Sequence, residues 1–246
     1  MVKKRICIYG FGSVGNYLHS KLLKSKNTAI TIVDKKFIKK KFDDNYIQDK
    51  KKKILKVREN LVINDIPKQD IIFITVKSND IVEIIPKLKE ISSKKTLFFL
   101  TQNNLELRYL NQKILKYILL KNNMRKDIKK INDFFKDKKI VHCIINSAIK
   151  KINENKFKII YEQKTFFGSK QISINIQKKI YSKIFKSKKM NYLVVNQIEN
   201  FLWGKLIGII GSHGLSVIFN KSFKQLYLCN KHKNYMKKIF LEADII

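Results

Sequence analysis

Acidic residues, arginine, cysteine and long apolar runs are all scarce in this 246-residue chain, and each shortage closes off a class of protein. No apolar run approaches the roughly 20 residues that cross a bilayer. The apolar stretch before Gly10 is too brief for the core of a signal peptide. Neither a membrane nor a targeting leader is therefore predicted. Cys7, Cys143 and Cys229 lie far apart and are odd in number, with neither disulfide-framework nor metal-ligand spacing. That pattern predicts no metal and a reducing, cytoplasmic setting. Asp and Glu number 19 against 53 Lys and Arg, a net charge of +34. Such a balance suits a nucleic-acid partner when the cations cluster. Here only Arg5, Arg58, Arg108 and Arg125 are arginines, and the lysines are spread along the whole chain. Lys, Ile and Asn share A/T-rich codons, so a biased base composition accounts for the profile, and no specific nucleic-acid partner is expected. A diffuse positive field still draws in anionic ligands.

What is present is the material of a globular protein, 44% hydrophobic and 29% charged, long enough for one large domain or two smaller ones. The chain is organised around Gly10-Phe11-Gly12-Ser13-Val14-Gly15, at the end of the apolar strand Arg5-Ile6-Cys7-Ile8-Tyr9. Val14, Leu18 and Leu22 then recur every four residues, as on one face of a helix. Strand, glycine turn and helix form the context in which G-x-G-x-x-G binds a dinucleotide. The first Gly permits the tight turn, the second leaves room for a pyrophosphate, and the third lets helix and strand approach. The phosphates meet N–H groups at the positive end of the helix dipole.

A second strand, Ala29–Val33, ends in Asp34, 22 residues after Gly12, where such folds place the residue that contacts the adenine ribose. An acid there accepts from the ribose hydroxyls and favours NAD, while Lys35 and Lys36 offer cations to a phosphate. Residues 35–60 are polar, with the run Lys50–Lys53 expected on a solvated face and a short strand expected at Leu61–Ile63. Asp70–Lys77 predicts a strand buried on both faces, Ser78-Asn79-Asp80 caps a helix over Ile81–Ile91, and Thr96–Thr101 predicts the next strand, ending in Gln102-Asn103-Asn104. This alternation predicts a doubly wound α/β sheet, with Gly10–Gly15, Asp34, Lys77 and Asn103 along one edge. Glu106–Lys138 is helical in pattern. Strands at Ile140–Ile145, Lys158–Tyr161 and Thr165–Gly168 are expected to continue the sheet, with His142 in the core. Beyond Ser169 the pattern turns helical: Ile172, Ile176, Ile180 and Ile184 form a stripe expected in the core, a short strand follows at Tyr192–Val195, and a helix over Ile198–Gly211 carries Lys205. A lysine among apolar neighbours either snorkels to solvent or stands as a positioned cation.

Taken together, Gly10-x-Gly12-x-x-Gly15, Thr75-Val76-Lys77, Gln102-Asn103, Asn146-Ser147, Gly168 and Leu202-Trp203-Gly204-Lys205-Leu206 resemble the ketopantoate reductase (2-dehydropantoate 2-reductase) family across essentially the whole chain. The resemblance implies an α/β protein: a Rossmann-type dinucleotide-binding domain over 1–168, then a mostly α-helical substrate and dimerisation domain over 169–246. Relative to the family that second domain is shortened at its C-terminus. Also implied is NADPH-dependent reduction of 2-dehydropantoate to pantoate, on the route to pantothenate and coenzyme A. In that scheme Gly10, Phe11, Gly12, Ser13, Val14, Gly15, Asp34, Lys77 and Asn103 bind the cofactor. Asn103 and Lys205 bind a small anionic 2-oxo acid, with Lys205 on its keto oxygen. Asp34 stands where the family commonly has Arg, so NADP is the implied cofactor and NAD the other. Asn104 follows Asn103 in place of the usual Gly, and Ile209 and His213 replace commonly found Asn residues. His213 is expected to pack. The alternatives are a shortened relative that binds dinucleotide without turnover, and a reductase of another small 2-oxo acid.

Overall fold

The computed structural model describes residues 4–22, 28–33, 45–48, 54–57, 66–102, 125–153, 156–185 and 190–243. Eleven strands are described: β1 (Lys4–Tyr9), β2 (Thr28–Val33), β3 (Asn45–Gln48), β4 (Ile54–Val57), β5 (Ile71–Ile74), β6 (Leu97–Leu100), β7 (Lys139–Ile144), β8 (Ala148–Lys151), β9 (Lys156–Tyr161), β10 (Thr165–Gly168) and β11 (Tyr192–Val194). The described α-helices are α1 (Ser13–Lys21), α2 (Ile81–Ile91), α3 (Arg125–Phe135), α4 (Ile174–Ile184), α5 (Ile198–Ile209), α6 (Leu215–Phe219), α7 (Phe223–Leu228) and α8 (Asn230–Ala243). The chain divides into two compact units, one with the described residues up to Ile198 and the other with those from Glu199 onward.

The first unit is built on a seven-stranded sheet of order β11-β10-β7-β6-β5-β1-β2. Strands β2, β1, β5, β6 and β7 run parallel, while β10 pairs antiparallel with β7 and parallel with β11. The near-continuous apolar runs have a direct cause: both faces of the sheet are covered. Ile6, Ile8, Phe73, Phe99 and Val141 face a core shared with Tyr17 and Leu18 of α1 and Tyr181 and Ile184 of α4. Cys7, Tyr9, Ile72, Ile74, Phe98 and Leu100 alternate onto the other face, against Ile81, Ile84, Ile85 and Leu88 of α2 and Phe134 and Phe135 of α3. Pro86 lies within α2 without ending it.

Helix α1 is buried along Gly15–Lys21, polar residues included, because a second sheet of order β4-β3-β9-β8 covers its other flank. Tyr17 Oη donates to Glu162 at 2.9 Å, and Lys21 Nζ pairs with the same carboxylate at 2.5 Å. Three expectations change here. Strands β3 and β4 occupy part of the segment read as merely polar. The strand containing Lys158–Tyr161 belongs to the second sheet rather than the first. Residues 169–198 lie with the sheet unit, since β11 extends the sheet through β10. The isoleucine stripe also divides: Ile172 and Ile184 are buried, but Ile176 is 54% exposed, and the buried face of α4 is Gln177, Tyr181 and Ile184. His142 is buried in β7. The strand expected at Leu61–Ile63, the run Lys50–Lys53 and most of Glu106–Lys138 lie outside the described residues.

The second unit is helical. Helix α5 runs through one π-helical turn, Ile210–Gly214, into α6, and Ser212 Oγ donates to Gly208 O at 2.6 Å at that turn. The helical stretch Ile198–Phe219 is long and apolar enough to cross a membrane, with 17% of its most apolar window buried. This corrects the expectation of no such run: Ser212, His213 and the glycines interrupt apolar character in the sequence without interrupting the helix. Asn220, at φ 48, ends α6 in the left-handed conformation that terminates helices. A Ser222–Gln225 capping box starts α7. Leu215, Leu226 and Met236 form a small core, joined by Phe219 and Ile239. His213, expected to pack, is exposed.

Candidate dinucleotide site

In the strand order β2-β1-β5, the chain leaves β1 to one side and returns at β5 on the other, and ligands of open α/β sheets bind at such a reversal, beyond the carboxyl ends of the strands. The register sets three strand ends side by side. Tyr9 pairs with Ile74 and Ile74 with Leu100, so Gly10, Thr75 and Thr101 stand in a row. Backbone bonds continue past the strands, from Thr75 N to Tyr9 O at 2.8 Å and from Thr101 N to Ile74 O at 3.4 Å. Gly10 N donates to Val33 O at 2.6 Å, fixing the end of β2 beside the turn.

The three glycines occupy different environments. Gly10 has φ +97, and a Cβ there would lie 2.8 Å from Val76 Cγ1 and 2.9 Å from Val76 N. A Cβ on Gly15 would lie against the Gly10 carbonyl oxygen, far inside contact distance. Both are required by close approach within the fold. Gly12 differs: a Cβ there would meet nothing within 4 Å. Its backbone is ordinary, φ −73, at the N-cap of α1. The packing does not demand Gly12, whereas a pyrophosphate lying across the open side would. The first turn of α1 contributes N–H groups that have no helical acceptor, so the residues present fit the phosphates of a dinucleotide.

Lys77 follows the end of β5, is exposed, and caps a short 3₁₀ turn at Ser78–Asp80. Thus Gly10–Gly15 and Lys77 come together at one edge of the first unit. Asp34 and Asn103 lie outside the described residues. Lys205 is half-buried on α5, in the second unit. Two residues that sequence reasoning gave no role in the turn also belong here. Thr75 Oγ1 bonds to the carbonyls of Tyr9 and Gly10, and Asn16 Nδ2 to those of Phe11 and Gly12. The available signals were a hydroxyl ending an apolar strand and an amide directly after the third glycine. Gln102 Nε2 likewise ties the end of β6 to Ile74 O and Val76 O, at 3.1 and 2.8 Å.

Cys7, Tyr17 and Tyr181 in the described core resist ionisation. Burial pushes the Cys7 thiol up to about 12 and raises the Tyr17 and Tyr181 phenols as well. Neither Cys7 nor Tyr17 is at the turn's open side. Among the described residues no cluster of His, Cys, Asp and Glu has the composition to hold a metal ion.

No curated protein sequence matches the chain significantly. Solved structures share its fold. A 2-dehydropantoate 2-reductase from Geobacter metallireducens GS-15 superposes with a TM-score of 0.74 at 13% identity, covering 97% of this chain and 73% of that one. A dimeric ketopantoate reductase from Staphylococcus aureus gives 0.68 at 13%, covering 97% and 71%. A D-mandelate dehydrogenase, in a ternary complex with NADH and anilino(oxo)acetate, gives 0.68 at 13%, covering 97% and 78%. The family model described as ketopantoate reductase PanE/ApbA matches residues 6–172, well over half of the chain. With the glycine turn, the strand order and the fold in agreement, this protein belongs to the PanE/ApbA ketopantoate reductase family of oxidoreductases.

Proposed function

We propose that the protein reduces 2-dehydropantoate to pantoate with NADPH. The observation that carries this reading is the glycine turn of a family member whose Gly12 side is open, a space the fold itself does not use. When bound, the nicotinamide supplies hydride to the keto carbon. The chain's residues supply position and field. Gly10–Gly15 and the first turn of α1 hold the pyrophosphate, Lys77 holds the adenosine-ribose phosphate, and Asn103 holds the nicotinamide ribose and the substrate. Lys205 holds the keto oxygen. As the carbonyl carbon is reduced, negative charge grows on that oxygen, so a fixed ammonium stabilises the transition state more than the ground state. The second unit supplies the substrate-binding part and the surface of a homodimer, which the dimeric S. aureus neighbour and the exposed Val217, Ile218 and Leu228 support. The odd number and wide spacing of Cys7, Cys143 and Cys229 support a reducing, cytoplasmic setting.

A second reading, reduction of another small 2-oxo acid with NADH, is favoured by Asp34 and by the D-mandelate dehydrogenase neighbour. Purified protein is mixed with NADPH or NADH and, in parallel, 2-dehydropantoate or a panel of 2-oxo acids, and absorbance at the nicotinamide band is followed. Faster oxidation of NADPH with 2-dehydropantoate is expected. Turnover only with NADH and another acid supports the second reading. Binding of dinucleotide with no turnover on any acid refutes both and leaves a non-catalytic binder.

A further inference from the structure

The glycine turn is held from behind by two side chains outside its motif. Thr75 Oγ1 lies 3.1 Å from Tyr9 O and 2.5 Å from Gly10 O. Asn16 Nδ2 donates to Phe11 O at 2.8 Å and to Gly12 O at 3.0 Å. Four consecutive carbonyls, from Tyr9 to Gly12, are thus tied to one strand end and one helix side chain. In a trans peptide the carbonyl and the following N–H point in opposite directions. Tying the carbonyls of Gly10, Phe11 and Gly12 therefore turns the N–H groups of Phe11, Gly12 and Ser13 away from Thr75 and Asn16. Successive N–H groups directed to one side make an anion-binding concavity, here at the N-terminus of α1.

Neither residue is the choice that packing alone would make. Asn16 is fully buried, and its Oδ1 has no partner among the described residues. A buried orphan oxygen costs stability, and an apolar residue of similar size would avoid that cost. Thr75 is half-buried, and its backbone N–H already joins β5 to β1 without help from the hydroxyl. The Gly12 carbonyl already accepts from Asn16 N at 3.0 Å, so what the two side chains add is direction of the peptide dipoles at Gly10 and Phe11.

We propose that Thr75 and Asn16 are positioning residues that orient the peptides of the glycine turn toward a phosphate, so that the turn is preorganised before any ligand arrives. This rests on the dinucleotide reading of the site and specifies how the site is held. Preorganised dipoles bind an anion without the reorganisation that a mobile turn requires.

The test uses the full chain, with Thr75→Val (similar shape, no donor), Thr75→Ser (donor kept) and Asn16→Leu (no donor, no orphan oxygen). NADPH and NADH binding are titrated by fluorescence, and unfolding midpoints in urea are measured in parallel. Thr75→Ser is expected to bind within about twofold of the parent, and Thr75→Val about five- to tenfold more weakly, the worth of one hydrogen bond. Asn16→Leu is expected to lose affinity by a similar factor while its midpoint holds or rises, an outcome that a merely structural role for the amide does not produce. In turnover assays the loss falls on KM for the dinucleotide more than on kcat. Parental affinity in Thr75→Val, or no recovery in Thr75→Ser, overturns the role of Thr75. Parental affinity in Asn16→Leu, or a fall in its midpoint that accounts for the lost binding, overturns that of Asn16. If the parent protein binds neither dinucleotide, the reading of the site fails, and this assignment fails with it.

Discussion

Alanine substitution along Gly10–Gly15 separates what the turn does for folding from what it does for a ligand. At Gly15 a Cβ would overlap the Gly10 carbonyl oxygen and lie 3.0 Å from Thr75 Oγ1. Relief requires α1 to move away from β1, and overpacking of this kind costs about 1–3 kcal/mol or more. Helix propensity acts the other way, since alanine within a helix is favoured over glycine by about 1 kcal/mol. Because the overlap is with backbone, the cost falls at the upper end of that range, and a net loss of about 2 kcal/mol or more is expected. At Gly10 the left-handed φ of +97 adds about 1–2 kcal/mol to the overlap with Val76, for about 2–4 kcal/mol in total. At Gly12 the helix start loses about 0.5 kcal/mol, which the reduced freedom of the unfolded chain roughly offsets. Gly12→Ala should thus unfold like the parent protein. Its methyl, however, enters the space assigned to the pyrophosphate, and dinucleotide binding should weaken at least about tenfold, or 1.4 kcal/mol. The assays are urea unfolding by circular dichroism and NADPH titration by fluorescence. Parental binding by Gly12→Ala would refute the placement of the ligand. Parental stability of Gly15→Ala would refute the packing argument.

Lys205→Ala should lower kcat by at least about a hundredfold, the scale of removing one charge-stabilising donor, with dinucleotide affinity nearly unchanged; surviving turnover rules out Lys205 at the keto oxygen. Stability should be flat up to about pH 9 and then fall. The folded pKa values of Cys7, Tyr17 and Tyr181 all lie above their unfolded values, because burial disfavours the charged forms. Their contribution is complete below the unfolded pKa values and is lost as pH rises toward the folded ones. Each group adds about 1.4 kcal/mol per pH unit in that window. A urea midpoint constant to pH 11 contradicts this, and Cys7→Ala should make the decline shallower. Glu162→Gln should cost about 1–3 kcal/mol, because the largely buried Lys21 loses its counter-charge. Replacing Lys21 by Met in that background should recover part of the loss, and a single-variant midpoint within error of the parent's refutes the argument.

The sequence reveals the first sheet because its strands carry an unmistakable demand: Ile71–Ile74 and Leu97–Leu100 are apolar at every position, as strands covered on both faces must be. The glycine turn is equally legible, since its residue types are dictated by the backbone. The second sheet is not. Asn45–Gln48 and Ile54–Val57 are four residues each, too short to establish a period, and they flank a run of lysines. Among the described residues Ile54–Val57 pairs only with Asn45–Gln48, and the pairing of Asn45–Gln48 with Lys156–Lys158, more than a hundred positions away, leaves no local trace. The stripe Ile172, Ile176, Ile180 and Ile184 misleads because apolar spacing cannot say where the helix begins; with α4 starting at Ile174, the buried face runs through Gln177 and Tyr181. Thr75 and Asn16 are hidden for another reason. A hydroxyl and an amide fit many environments, and only the folded chain determines which carbonyls they meet.

The two-sided cover of α1 has a consequence for synthesis. Its second flank is closed by β3 and β9, which pair Tyr46 with Lys156 and Gln48 with Lys158. At roughly 5–20 residues per second on the ribosome, more than a hundred residues take several seconds to emerge. Throughout that interval the first strand, turn and helix are complete in sequence but cannot be enclosed. Asn16, His19, Ser20 and Lys21, all buried in the finished interior, are polar side chains that water can hydrate during that interval, so α1 waits for its cover without presenting a purely apolar surface.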